Sequence, residues 1–196
     1  VTRWAPDARG RLHRAAVDLF EEQGYAPTTV PQIAERAGLT TRTFFRHFAD
    51  KREVLFSDDA ITADAARLMR EAPEGLDVLA LVRDRLRTVA ETTFEGSRSE
   101  VRRVRALIAA DPALQERDLQ KRAALAEVVR SAFADRGEDP ITAALVGDLV
   151  VSVLHVALER WLDEPADDAA ATPFADVIDE VLAASATLLR SATAGR

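Results

Sequence analysis

Between Thr28 and Phe56 the chain reads TTVPQIAERAGLTTRTFFRHFADKREVLF, which contains two capped segments, each too short to hold a helix alone. Thr29 followed by Gln32 is a capping box that opens the first segment. Val30, Ile33, Ala34 and Ala37 fall on its inward side and Gly38 stops it. Thr40 caps the second segment, whose stability requires Phe44, Phe45 and Phe48 to pack on neighbouring helices. Gly38 supplies backbone freedom at the turn, and Ala34 is small where the two helices must cross closely. The stretch therefore predicts a helix-turn-helix held inside a helical environment.

The remainder carries helical punctuation and nothing that reads as strand. Leu12, Ala15, Ala16, Leu19 and Phe20 form one stripe of a helix from Arg9 to Gln23, ended by Gly24. Asp50 with Glu53 starts a longer helix through about Glu71, broken by Pro73 and Gly75. Leu76 to Phe94 predicts a helix with Leu79, Val82, Leu86 and Val89 inward, and Ser97 with Glu100 caps the next, to Ala110. Asp111-Pro112 and Asp139-Pro140 open helices of 112–136 and 140–163. A polar loop follows from Asp163 to Ala171, and Thr172-Pro173 opens the last helix, about 173–192. The fold class expected is all-α with about nine helices: a head of residues 1–56 and a helical ligand and dimerisation domain of 57–196.

The net charge of −7 divides unevenly. Through residue 55 there are nine Lys and Arg against seven Asp and Glu, which leaves +2 on the head and −9 on the rest. Such an asymmetry turns the head towards phosphate. With no Cys and with His13, His47 and His155 far apart, neither a disulfide, a metal site nor a cofactor is expected. No Gly-rich phosphate loop, nucleophile elbow or paired-carboxylate constellation points to an enzyme. No apolar run of membrane-spanning length and no signal peptide is apparent, so a cytoplasmic protein without membrane association is expected. The Arg- and Ala-rich bias suggests a bacterial source.

The exposed positions of the second short helix, Thr41, Arg42, Thr43, Arg46 and His47, are hydrogen-bonding or cationic. Arg can hold guanine in a bidentate pair and Thr can touch a methyl group or a phosphate, which suits major-groove reading. Here the chain resembles the TetR family of transcription regulators. The matching features are Leu19, Phe20 and Tyr25 at the end of helix one, then T-T-V-x-x-I-A-x-x-A-G, T-F-F-R-H-F and D-K-R-E-V-L. The resemblance implies phosphate contacts at Thr28, Thr29, Thr40 and Lys51, base reading by Arg42 and Thr43, and Phe45 and His47 beside the DNA backbone. Phe45 lacks the hydroxyl that some members use for phosphate. Arg3 would enter the minor groove as an N-terminal arm, and Trp4 would pack on the head.

The resemblance also implies a homodimer paired through the last two helices, about 140–163 and 173–192, on a pseudo-palindromic operator in double-stranded DNA. Leu145, Leu149, Val153 and Val156 line one side of the first of these helices. Arg98, Arg102 and Arg105 share a helical face, with Arg83 and Arg87 one helix earlier. Such a cluster could receive the phosphates of an acyl-CoA effector. RRVRALIAADPALQER, with a later ALERW, also resembles the subgroup that binds acyl-CoA-like ligands. Carboxylates from neighbouring helices could equally neutralise the cluster, and the acidic domain also fits a cationic lipophilic drug. Phe94, Phe133, His155 and Trp161 are candidate pocket walls, and Asp148 a candidate buried sensor, beside Arg87, Arg102 and Arg105. A helical scaffold protein without DNA binding is the rival reading; it leaves Arg42, Thr43 and Lys51 unexplained.

Overall fold

The computed structural model describes residues 7–56, 77–94, 96–164 and 172–194. Among the described residues there are eight α-helices: α1 (Ala8–Gln23), α2 (Val30–Arg36), α3 (Thr41–His47), α4 (Val78–Val89), α5 (Arg98–Ala110), α6 (Pro112–Asp135), α7 (Pro140–Asp163) and α8 (Phe174–Ala194). Among the described residues there is no strand. Arg3, Trp4, most of the helix expected to run to Glu71, and most of the loop from Asp163 to Ala171 lie outside the described residues.

The start signals act locally as their chemistry demands. Asp77, Asp111 and Asp139 each accept backbone N–H bonds from the first turn of the helix that follows. Asp50 accepts from Arg52 N at 2.7 Å and Glu53 N at 3.2 Å, and the turn it opens, Arg52–Val54, is a 3-10 helix. Ser97 differs from its expected capping role: its hydroxyl donates back to the Phe94 carbonyl at 2.8 Å. Beyond α4 the ladder widens into a π turn over Ala90–Phe94.

Contacts divide the chain into two compact units. The first joins the described residues up to Phe56 with Arg102–Gln120, and the second holds the remainder, so α5 and α6 each contribute to both. The core of the first unit is Leu12, Ala15, Ala16, Val17, Leu19 and Phe20 of α1 against Ile33, Phe44, Phe48 and Val54, with Ile108 and Leu114 added. In the second unit α4, α7, α8 and the later part of α6 surround Leu81, Val82, Phe133, Val153, Trp161, Phe174 and Ile178. Leu79, expected inward, is 51% exposed, and Leu81 takes the buried position instead.

Within that core, α6 and α7 approach very closely at Gly147. A Cβ there would lie 2.6 Å from the Ala126 carbonyl oxygen, so only glycine admits this crossing. The buried face of α7 is Ala143, Val146, Val150, Val153, Ala157 and Trp161. Its opposite face exposes Ile141, Leu145 and Val156. By length and composition alone α7 could cross a membrane, yet one whole face of it is this core.

Candidate nucleic-acid interface

α2 opens on the capping box read from the sequence: Thr29 N donates to Gln32 Oε1 at 2.8 Å and Gln32 N to Thr29 Oγ1 at 3.4 Å. At its end Gly38 adopts φ 63°. Gly38 N reaches the Glu35 carbonyl at 2.9 Å and Leu39 N the Ala34 carbonyl at 2.8 Å, the paired bonds of a left-handed helix stop. Thr40 then caps α3 by accepting from Thr43 N at 3.1 Å. Phe44 and Phe48 anchor α3 in the core, with ring centres 5.4 Å apart.

Phe45 departs from the expected packing. It is 55% exposed and meets Phe44 edge-on, so it stands on the outer face of α3 with Thr41, Arg42 and Arg46. Thr43 and His47 are partly covered; the Thr43 hydroxyl shares a hydrogen bond with Thr40 at 3.0 Å, and Arg46 reaches His47 Nε2 at 3.5 Å.

The cations of this unit separate into two groups. Most are engaged by the fold. Arg36 makes a bidentate pair with Glu22 at 2.7 and 2.8 Å, which holds that carboxyl below its usual range. Arg52 pairs with Asp50, and Arg14 with Asp7. Arg11 donates to the Ala37 carbonyl. Lys51, expected at a phosphate, donates instead to the carbonyls of Tyr25, Thr28 and Ala26 at 2.7, 2.8 and 3.2 Å. Partial burial pushes its ammonium pKa down. Arg42 is different: it is exposed on α3 and makes no hydrogen bond or ion pair among the described residues.

Thr28 also departs from its expected role. It is 1% exposed, and its hydroxyl donates to the Gly24 carbonyl at 2.7 Å and accepts from Gln23 at 3.0 Å. A side chain so enclosed closes the α1–α2 turn and cannot meet a phosphate. Thr29 and Thr40 remain exposed.

Within each unit the arginines of the row have partners of their own. Arg103 is gripped by Asp18 and Glu21 at 2.7 and 2.6 Å, and Arg105 by Asp118 at 3.0 Å, all within the first unit. Arg102 is engaged as well. In the second unit Arg83 and Arg87 each reach Asp179 at 2.7 Å, and Arg87 also pairs with Asp176 at 3.3 Å. Arg98 is buried and donates to the carbonyls of Trp161 and Glu164. Of the row that the sequence presented as an anion site, carboxylates thus pair Arg83, Arg87, Arg103 and Arg105, and backbone carbonyls hold Arg98.

The candidate pocket walls divide as well. Phe94, Phe133 and Trp161 are fully enclosed in the second core, where Phe174 stands 5.0 Å from both Phe94 and Trp161 between ring centres. His155 is partly exposed and lies 3.2 Å from Glu159. Asp148, expected to be buried, is exposed on the outer face of α7. Its neighbours Leu145 and Leu149 do not enclose it, because Leu145 is itself 65% exposed. No local pattern in the sequence marks Arg11 or Gly147, and the sequence marks Arg98 only as one of an arginine row; the partners of all three lie far away along the chain.

Comparison with known proteins covers both units. Residues 12–57 match the family described as bacterial regulatory proteins, tetR family, and residues 76–190 match the MftR C-terminal domain. The transcriptional regulator MftR of Mycobacterium tuberculosis is 30% identical over 153 residues, which cover 75% of this chain and 76% of that protein. The regulator TcmR of Streptomyces glaucescens is 39% identical over 89 residues, 45% of this chain, and the match spans only 39% of that relative. Among solved structures, NalD of Pseudomonas aeruginosa superposes with a TM-score of 0.56 at 18% identity, covering 90% of this chain and 96% of that one. FadR of Thermus thermophilus, determined with lauroyl-CoA, gives 0.51 at 20% identity over 89% of this chain and 91% of that one.

Proposed function

The chain belongs to the TetR family of DNA-binding transcription regulators, and on that premise we propose that it is a homodimeric repressor released from a pseudo-palindromic operator by a small molecule. Residues 1–56 would bind DNA and 57–196 would bind the effector and the second copy. The observation that carries the DNA-binding surface is Arg42, exposed and unengaged on a helix that Thr40 caps and Phe44 anchors. In the major groove its guanidinium would pair with guanine O6 and N7. Thr41 and Arg46 flank it, Phe45 offers an apolar face beside them, Thr43 and His47 border them, and Thr29 and Thr40 lie towards phosphate.

A duplex enriched by the protein from a random library provides the test. Replacing Arg42 by Ala should weaken binding to that duplex more than to random DNA, by roughly 1–3 kcal/mol. Equal losses on both would make Arg42 a phosphate contact. Affinity that does not fall with salt would remove DNA binding altogether and favour the scaffold reading.

For the effector we infer a molecule with a long apolar part, of the acyl-CoA class. The aromatic and aliphatic interior of the second unit supports the acyl half, and a protein of the same fold was determined with lauroyl-CoA. The phosphate half draws no support from Arg87 or Arg105, which Asp179 and Asp118 hold. Thermal shift with acyl-CoA esters, free fatty acids and cationic dyes separates the classes, since a ligand of the folded state raises the melting point. Stabilisation by dyes alone would replace the acyl reading with a drug-sensing one.

A further inference from the structure

Among the described residues Phe45 is the aromatic ring that the fold leaves exposed. It is 55% exposed, whereas Phe44 and Phe48 of the same segment are 0% and 4%, and the other described aromatics are buried or half-buried. The buried Phe44 ring meets it edge-on, with centres 5.5 Å apart and planes at 84°, so an anchored neighbour fixes the direction in which Phe45 projects. Arg42 lies three residues before it and Thr41 four before, both exposed. Residues at those spacings stand about 5–6 Å apart on one helix face. On the face it turns away from the core, α3 thus carries a guanidinium and an apolar ring side by side.

We propose that Phe45 reads the C5-methyl group of a pyrimidine in the base pair next to the guanine that Arg42 holds, so that the head selects thymine there and accepts 5-methylcytosine in its place. The inference rests on the reading of α3 as the helix that enters the major groove. A phenyl ring has no hydrogen-bonding atom. Pressed on a phosphate or on a polar base edge, it would displace water and return no bond. The apolar group that the major groove does present is the methyl at C5 of thymine. That methyl stands at the margin of the groove, towards the backbone of its own strand, where a ring bordering the backbone meets it. Successive bases of one strand are about 3.4 Å apart, so side chains spaced as Arg42 and Phe45 are reach neighbouring base pairs. Cytosine and uracil lack the methyl, and 5-methylcytosine carries it at the same place.

Binding of the full chain to the duplex it enriches from a random library tests this. Deoxyuridine replaces each thymine in turn, which removes one methyl and keeps every hydrogen-bonding group. One thymine in each half-site, beside the guanine whose replacement no longer matters to Arg42→Ala, should cost the parent about fourfold in affinity, the effect of one buried methyl group. Phe45→Ala should bind the thymine and uracil duplexes equally and keep parental helicity, since the ring lies outside the core. With a cytosine–guanine pair at that position, methylation of the cytosine at C5 should tighten binding of the parent about fourfold and leave Phe45→Ala unchanged. If Phe45→Ala loses helicity, Phe45→Gln, similar in reach and polar at its tip, takes its place. Three results overturn the proposal: uracil that weakens the parent at no position, a uracil penalty that survives in Phe45→Ala, or an enriched duplex with no thymine beside that guanine. If Arg42→Ala loses equally on enriched and random duplexes, the guanine reading fails and the uracil comparison still judges Phe45. A parent that enriches no duplex ends both readings.

Discussion

Arg98 donates Nη2 to the Trp161 carbonyl at 2.6 Å, and its guanidinium carbon lies 5.4 Å from the centre of the same residue's indole. A second bond reaches the Glu164 carbonyl at 3.0 Å. These carbonyls belong to the end of α7, where the helix has run out of its own donors and a cation also meets the negative end of the helix dipole. The indole N–H in turn donates to the Thr172 carbonyl at 3.1 Å, and Thr172 N donates to the Glu164 carboxylate at 3.1 Å. One buried arginine thereby closes the end of α7 and seats Trp161 beside Phe174.

Replacing Arg98 by Met keeps much of the packing and removes the donors. The uncovered carbonyls should cost about 2–4 kcal/mol, seen as an earlier midpoint in urea denaturation followed by tryptophan emission. A loss under about 0.5 kcal/mol, the range of ordinary surface changes, would mean that water replaces the guanidinium without penalty.

Gly147 gives a prediction in which two effects oppose each other. Alanine is the better helix former by about 1 kcal/mol, so an unhindered Gly147→Ala would stabilise α7. The added Cβ would instead meet the Ala126 carbonyl oxygen at 2.6 Å, with the Arg130 Cβ at 3.4 Å. Backbone cannot move aside as a side chain can, so overpacking at about 1–3 kcal/mol should exceed the propensity gain. A lower midpoint is expected; a higher one would show that the two helices can separate at little cost.

The difference between what was legible in the sequence and what was not follows from the range of the interactions. The caps at Thr29, Thr40, Asp111 and Asp139 and the turn at Gly38 involve neighbours within a few residues, and the structure forms them as read. Phe44 and Phe48 also follow from period alone. Arg105, Arg87 and Lys51 looked available because their partners, Asp118, Asp179 and the Tyr25 carbonyl, arrive from other elements. Charge counting along one helix could not detect them. For Phe45 the sequence offers two places, packing with Phe44 and Phe48 or bordering the DNA backbone; successive residues of a helix point in different directions, and its exposure fits only the second.

The Asp179 network makes stability depend on acid. The hydrogen-bonded Arg83 guanidinium, then its charge and that of Arg87, hold the Asp179 carboxyl below its ordinary value. A carboxyl depressed in the folded state stabilises the fold at pH values above its unfolded pKa, about 3.9. That contribution is lost as pH falls through the folded value. Asp179→Asn should therefore melt a few degrees lower than the parent at neutral pH, and the two should converge in acid, once the pH has fallen through the depressed folded value. Thermal melts across pH check this. A constant difference at every pH would assign the effect to packing rather than charge, and the exposure of Arg83 argues for a modest amplitude.

The outer face of α7 provides the last test. Ile141, Leu145 and Val156 fall on one side of the helix at spacings that keep them in line, and they are 72%, 65% and 48% exposed. The opposite side is core, so α7 carries large apolar side chains on both faces, with Asp148 among the outer ones, and such exposed apolar residues gain from cover. On α8, Leu188 is 73% exposed as well. The proposed homodimer would cover these residues with their copies about a two-fold axis. Leu145→Glu would then place two carboxylates near that axis without touching the core face of α7. Sedimentation should find the parent as a dimer and the variant as a monomer with near-parental helicity. The monomer should also bind the enriched duplex far more weakly, because the second head no longer binds at the effective concentration its partner provides. A variant that remains dimeric would exclude this face of α7 from the interface.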